Sequence, residues 1–466
     1  MGIGIGQGVR RNALGNFATL LDSDPLVSID WEGRVAPRLA ERLEWLDGDR
    51  TLKLVLRSNV VFHDGAPLTS DAVVRVLRQQ VADNQPPSEF LQSIEAAGSD
   101  TVLIRLTRPD SLLPERLNGV EVRPPGHPDV GTGPFRIVSQ NPLRFVANDK
   151  YYRKRPSIDE IRVHTYDTQR GAWAAMMRGE IDYLHDVSRE AADFVEAESS
   201  VNTYPYLAAY YIPMVFNLRH PILKRVEVRR ALNEAIDRQS IVTQAMHGRG
   251  IPSDGPLWPQ YWAISSAQRT YAFNPDAARV RLDAAGLPVV PSTDSTHVAR
   301  RFKFTCLFWS EEPLYERVAL IVQKQLFEIG VDVEMQPVPG NRLFERMQKA
   351  DYEAFMVPTG SGRALGWTYN FWHTSAKPGA GLETGYTSAD PILDHLRLVT
   401  SDDDTRQGVA ELQRVLFDEP PAVFLVWLMN ARAVSTRFDV PHEPNRDIMS
   451  NLWQWRQNPA AVRAAQ

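Results

Sequence analysis

Between residues 360 and 386 the chain reads GSGRALGWTYNFWHTSAKPGAGLETGY, and side chains suited to recognition are densest here. Trp367, Tyr369, Phe371, Trp372 and Tyr386 stand among glycines and small residues without a clear period, so a loop is expected. Rings in such a loop offer large flat apolar area with little rotamer entropy to lose, which suits the wall of a ligand pocket. A loop merely pinned to its own lobe by two or three of these rings is the other reading. Arg363 is the one Asp, Glu, Lys or Arg residue from Gly360 to His373, and Asn370 adds an amide. A planar guanidinium can hold a carboxylate or phosphate, or pair with a structural acid.

Catalytic chemistry finds less support. The chain has no G-x-S-x-G elbow, no Walker loop, no H-E-x-x-H and no C-x-x-C. His63-Asp64-Gly65 reads as a polar turn before a capped helix, since no nucleophile or third partner accompanies it. Glu180 and Asp182 share a strand face, but the run Gly179-Glu180-Ile181-Asp182 is more simply a helix end returning to a strand. The ten histidines are scattered and Cys306 is the single cysteine, in an apolar run where a buried, inert thiol is expected. No enzyme, metal or cofactor is therefore expected. Two carboxylates converging from distant segments, as in a hydrolase, and a ligand sensor on the same scaffold are the competing functions.

At 466 residues the chain exceeds one ordinary core, and 43% hydrophobic with 23% charged residues describes a globular protein. A net charge of −5 gives no electrostatic case for nucleic acid. No run of about 18 apolar residues is present, and the first residues, MGIGIGQGVRRNALGNF, lack the features of an export signal.

The elements that must position these residues are legible in outline. Gly2, Gly4, Gly6 and Gly8 alternate with Ile3 and Ile5, which suits an extended segment in close backbone packing. Asp47-Gly48 marks a hairpin, and Thr69 with Asp71 caps a helix. From Val228 to Met246 apolar residues recur at helical spacing, so one helix is expected, ending at Gly248, with Asn217 on the strand before it. Asn274-Pro275 starts another helix that Gly286 ends. Residues 302–308, 313–329 and 331–335 read as strand, helix, strand, a βαβ unit, followed by a helix near 405–417 and a buried strand at 422–428.

Several of these runs together resemble the bacterial extracellular solute-binding proteins of family 5, which includes dipeptide-, oligopeptide-, nickel- and opine-binding proteins of ABC importers. The resemblance rests on Leu39-Ala40-Glu41, Phe62-His63-Asp64-Gly65, Leu68-Thr69, Gly131-Thr132-Gly133-Pro134-Phe135, Asn217, Val228–Leu232, Ala235–Arg238 and Gly248-x-Gly250-x-Pro252. It implies an α/β fold of the two-lobed periplasmic-binding-protein type, class II with an extra subdomain, and a ligand cleft between the lobes. Lobe I is expected at 1–253 plus 430–466, with the subdomain inserted at about 31–130. Lobe II is expected at 254–429, with hinge crossings near 249–256 and 428–434. The implied function is capture of a small peptide-like, sugar-like or other solute and its delivery to the membrane permease of an ABC importer. The protein would act as a monomer in the periplasm or another extracytoplasmic space. The expected ligand-binding residues are Trp367, Arg363, Tyr369, Asn370, Phe371, Trp309, Tyr211, Asn217, Asn16 and Phe17. In peptide-binding relatives the matching loop supplies an aspartate for the ligand's α-amino group. Here no Asp or Glu lies between Gly360 and His373, which argues against ordinary recognition of a peptide N-terminus.

Overall fold

The structure is a computed structural model and describes residues 1–6, 13–124, 126–189, 191–267, 269–290, 299–374 and 383–459. The chain divides into two compact units, residues 1–30, 35–208 and 429–466 forming the first and 31–34 with 209–428 the second.

In the first unit the glycine-rich opening forms the strand Gly2–Gly6, parallel to Glu160–Tyr166 on one side and Tyr183–Leu184 on the other. Ile3 and Ile5 are buried, and Gly4 leaves room for the Ile181 side chain, whose Cδ1 would lie 2.2 Å from a Cβ there. The sheet continues antiparallel through Leu143–Ala147 to Phe135–Gln140, and Tyr183–Leu184 pairs with Ala433 and Val434 at its other edge. Gly179 adopts the left-handed conformation (φ 72°) that ends the helix Gln169–Met177. Asp182 accepts from Gly2 N and from Arg437, whereas Glu180 pairs with Arg178 at the surface. Neither carboxylate is left for acid–base work.

Also in this unit, Ala40–Leu46, Thr51–Leu56, Thr101–Leu106 and Leu91–Ala96 form a separate antiparallel sheet with its own apolar core. Asp47 and Gly48 both have positive φ, as the expected tight turn requires. Thr69 caps the helix Ser70–Ala82 by accepting from Ala72 N at 3.3 Å. His63 accepts from Gly131 N at Nδ1 (3.2 Å) and bonds Gly133 O through Nε2 (3.1 Å), and burial lowers its pKa. It is a structural latch on the Gly131–Gly133 turn, where a Cβ on Gly131 would approach Asp22 O to 1.8 Å.

The second unit carries the expected βαβ unit. Phe302–Trp309 runs parallel to Val331–Val338 through the helix Pro313–Glu328, and parallel to Ala354–Met356 on its other side. Met214, Val215 and Phe216 then pair antiparallel with Ala354–Met356. Cys306 is fully buried in this sheet, and burial pushes its thiol well above the usual range. Asn274 caps the helix Pro275–Ala284 by accepting from Ala277 N at 2.9 Å.

Two expectations are corrected. The single helix expected over 228–246 is two, Val226–Glu234 and Arg238–Met246, because Asp237 turns its carboxylate onto Ser240 N (3.1 Å) and starts the second. The first boundary is also elsewhere. The pair of helices belongs to the second unit: Arg281 bonds Glu227 and Glu234, and the Gln325 amide bonds Asp237 N and Ser240 Oγ. The chain passes between units at 208/209, inside the strand Val201–Phe216, and returns at 428/429, inside Ala422–Ser435. The segment near 249–256 is not a crossing. Its strand Gly250–Pro252 pairs with Val426–Leu428 within the second unit.

Candidate functional site: an aromatic shelf in the second unit

The glycine-rich aromatic stretch is not a loop throughout. Leu365–Trp372 forms a helix, and the apolar residues it carries sort onto two sides. Leu365, Thr368, Tyr369 and Trp372 are buried. Trp367, Asn370 and Phe371 are turned outward, Trp367 being 51% exposed, and the two rings lie parallel at i and i+4 with centroids 5.7 Å apart. A tryptophan this open beside a second ring costs apolar hydration unless something covers it.

The turn before the helix positions Trp367 tightly. Gly362 has φ 65°, and a Cβ on it would come within 1.9 Å of Trp367 Cδ1. Arg363 follows in the same left-handed region (φ 64°), which costs a residue with a side chain about 1–2 kcal/mol. Its guanidinium carbon stands 5.3 Å from the ring centres of both Trp31 and Trp258, close enough for cation–π attraction to each indole. Those indoles meet edge to face at 5.0 Å, and Trp258 Nε1 donates to Trp31 O at 2.7 Å. Behind them Trp427 packs on Trp258 and on Tyr211, and Trp372 Nε1 donates to the Tyr211 hydroxyl at 3.2 Å.

The ten expected residues therefore separate by role. Trp367, Asn370 and Phe371 share an exposed face, and partly exposed Arg363 lies in the adjoining turn. Tyr369 is a correction: it is buried, stacked on His373 at 4.6 Å, and its hydroxyl accepts from Arg397 at 3.2 Å. Tyr211, 1% exposed, supports the shelf from within. Asn217 is corrected as well, because its amide donates to Tyr352 O (2.8 Å) and Ala350 O and its oxygen caps Arg219 N, all structural work. Phe17 is packed in the first unit's core, edge-on to His185 and Phe145. Asn16 falls in the helix Ala13–Asp22, but its side chain lies outside the described residues. Trp309 stands at a strand end, half-buried, stacked on Tyr315 at 5.4 Å and donating to Glu311 Oε2 at 2.6 Å.

Trp31, Trp258 and Trp427 are the contributors that sequence reasoning did not place. Trp258 stood out only as an aromatic among prolines, and Trp427 reads as one more residue of a buried strand. An acid does meet this stretch, but on its buried side: His373 Nε2 lies 3.1 Å from Asp394 Oδ1, and Tyr369 reaches the same oxygen at 3.5 Å. Among the described residues no group of three His, Cys, Asp or Glu could hold a metal, and no helix is long and apolar enough to cross a membrane.

Known proteins match along most of the chain. The profile of the bacterial extracellular solute-binding proteins, family 5, matches residues 34–381. The oligopeptide-binding protein AppA of Bacillus subtilis is 24% identical over 92% of this chain and 85% of its own. The glutathione-binding protein GsiB of Pectobacterium atrosepticum is 25% identical over 86% of this chain and 82% of its own. Among solved structures, NikA from Brucella suis in complex with Fe(III)-EDTA superposes with a TM-score of 0.85 at 19% identity, covering 98% of this chain and 100% of that one. AppA from Bacillus subtilis in complex with a nonapeptide gives 0.77 at 22%, covering 98% of each. These neighbours have the two-lobed α/β architecture that the motifs implied. With the family profile spanning well over half of the sequence, the chain belongs to the bacterial extracellular solute-binding proteins of family 5.

Proposed function

We propose that the solute is held against the Trp367–Phe371 face of the second unit, with Asn370 as a hydrogen-bonding group and Arg363 as the nearby cation. The family's work is binding without catalysis: a member captures a solute outside the cytoplasm and presents it to the permease of an ABC importer. The observation that carries the residue assignment is the exposed Trp367 ring stacked on the partly buried Phe371, beside a turn where a Cβ on Gly362 would collide with the indole. Two adjacent rings take a flat or apolar group by stacking, and a guanidinium from the adjoining turn, held against Trp31 and Trp258, favours a carboxylate over an ammonium.

The same reading makes the solute a small acid or amide with a flat or branched apolar part. Oligopeptide and glutathione, named for the relatives, both carry carboxylate and amide groups. The chain would act as a monomer whose only macromolecular partner is the permease; its net charge of −5 offers nucleic acid nothing. Native mass spectrometry of gently purified protein, repeated after denaturation, tests the function. A stoichiometric extra mass lost on denaturation supports it and gives the ligand class. Binding of that compound with unchanged affinity by Trp367→Ala would remove the shelf from the site.

A further inference from the structure

The first unit has a small cavity of its own, about 190 Å³, where the strand Tyr183–Leu184 ends and the helix Gln169–Met177 begins. Leu184, Val187 and Val195 form its apolar floor, and Phe194, 69% exposed, stands at its wall. Trp173 projects from the helix into the lining, packed against the apolar cluster around Ala172 and Leu184. Its indole N–H is buried, yet has no acceptor among the described residues. A buried donor left unpaired is costly, so such a group marks a place where an acceptor is supplied from outside the fold.

The other polar groups at the cavity are more open, Gln169 being half-buried and Arg170 exposed. Gln169 and Arg170 line it from the first turn of the helix, whose free backbone amides make that end positive. No carboxylate of the described residues pairs with Arg170. Among the described residues Asp186 is the one acid in the lining, and it stands 3.8 Å from the buried guanidinium of Arg432. The cavity thus combines an apolar floor with a buried, unpaired indole N–H, an exposed guanidinium at its edge, and an acid that shares the Arg432 cation with Asp447.

We propose that this cavity is a second binding site, which takes a small branched or flat monocarboxylate. Its apolar body lies on Val187, Val195 and Phe194, and its carboxylate oxygens accept from Trp173 Nε1 and from Arg170. The site lies wholly within the first unit and is independent of what the Trp367 shelf holds.

The test uses the full chain labelled with 15N-tryptophan, whose Trp173 indole cross-peak is identified by its loss in Trp173→Phe. Titration with 3-methylbutanoate is expected to move that peak downfield saturably, the amide of the same acid to move it less, and 3-methylbutylamine not at all. Arg170→Gln is expected to weaken the carboxylate about tenfold, the size of one charge-assisted hydrogen bond, and to leave the amide unchanged. A Trp173 peak that stays still while others move, or that responds equally to acid and amine, overturns the proposal. So does an unliganded peak already downfield and unaffected by the acid, since a bound water would then satisfy the donor. Because the readout is one assigned indole, occupancy of the Trp367 shelf cannot mimic it.

Discussion

At the scale of single residues, exposure decides which aromatic can be removed without loss of the fold. Trp367 is half exposed and rests on Phe371 and Gly362, so Trp367→Ala is expected to change unfolding free energy by no more than about 1 kcal/mol. Solute affinity is expected to fall about thirtyfold, the ~2 kcal/mol typical of an aromatic anchor, as read by calorimetric titration with the co-purified ligand. His185 behaves in the opposite way. Burial, helped by the Arg432 charge, holds its pKa near 3, and the Tyr183 hydroxyl stands 3.2 Å from Nδ1. Unfolded, the ring takes a proton near pH 6.5; folded, it does not until about pH 3, so stability is lost as pH falls between these values. Unfolding free energies from urea titrations at pH 7 down to pH 4 are expected to decline by about 3 kcal/mol in total, and His185→Asn to flatten that slope. Asp447 does not confuse the reading. Although burial opposes it, the Arg432 ion pair keeps its carboxyl below the usual range, so its window lies below pH 4.

At the scale of elements, local stops matter more than long-range pattern. The break between the helices Val226–Glu234 and Arg238–Met246 depends on Asp237, whose side chain caps the second helix while its backbone meets Gln325. Asp237→Ala is expected to cost about 1 kcal/mol in chemical denaturation, with solute binding retained. The turn before Leu365–Trp372 is under a harder constraint. Gly362→Ala adds both a left-handed penalty and a collision with the Trp367 ring, so it is expected to destabilise by roughly 1–2 kcal/mol. Displacing the indole should also reduce solute affinity about as far as Trp367→Ala does, although the ring is still present. Wild-type affinity in this variant would show that the ring's position does not matter to binding.

At the scale of the whole molecule, a solute that binds only the folded chain must stabilise it by an amount that grows with the logarithm of its concentration above Kd. At a hundredfold excess over Kd the gain is about 2.7 kcal/mol, which for units of this size is a rise of roughly 5–10 °C in the unfolding midpoint. Differential scanning fluorimetry with the co-purified ligand checks this, and the Trp367→Ala protein should require a correspondingly higher concentration for the same shift.

Some local signals were strong enough in the sequence to decide local structure by themselves, although the Asp237 cap and the helix Leu365–Trp372 were not among them. Asp47-Gly48 can hardly be other than a tight turn, Thr69 and Asn274 cap helices by their own side chains, and strand, helix and Gly330 spell out the βαβ unit because each step obeys a short-range rule. The family motifs are of the same local kind, which is why membership could be read from them. The tertiary structure decided what depends on residues far apart in sequence. The passage between units falls inside two continuous strands, and no local stop marks it: the boundary at 208/209 lies between Pro205 and Pro213 of an unbroken strand, at neither of them. The division of aromatics is the same kind of fact. Tyr369 and Trp367 are two residues apart with similar chemistry, yet Arg397, His373 and the buried side of the helix claim one, while the turn at Gly362 holds the other outward. Arg363 gains its two indoles from positions 31 and 258. Only folding brings such partners together, because side-chain burial is set by what packs against a face and not by the residue's own type.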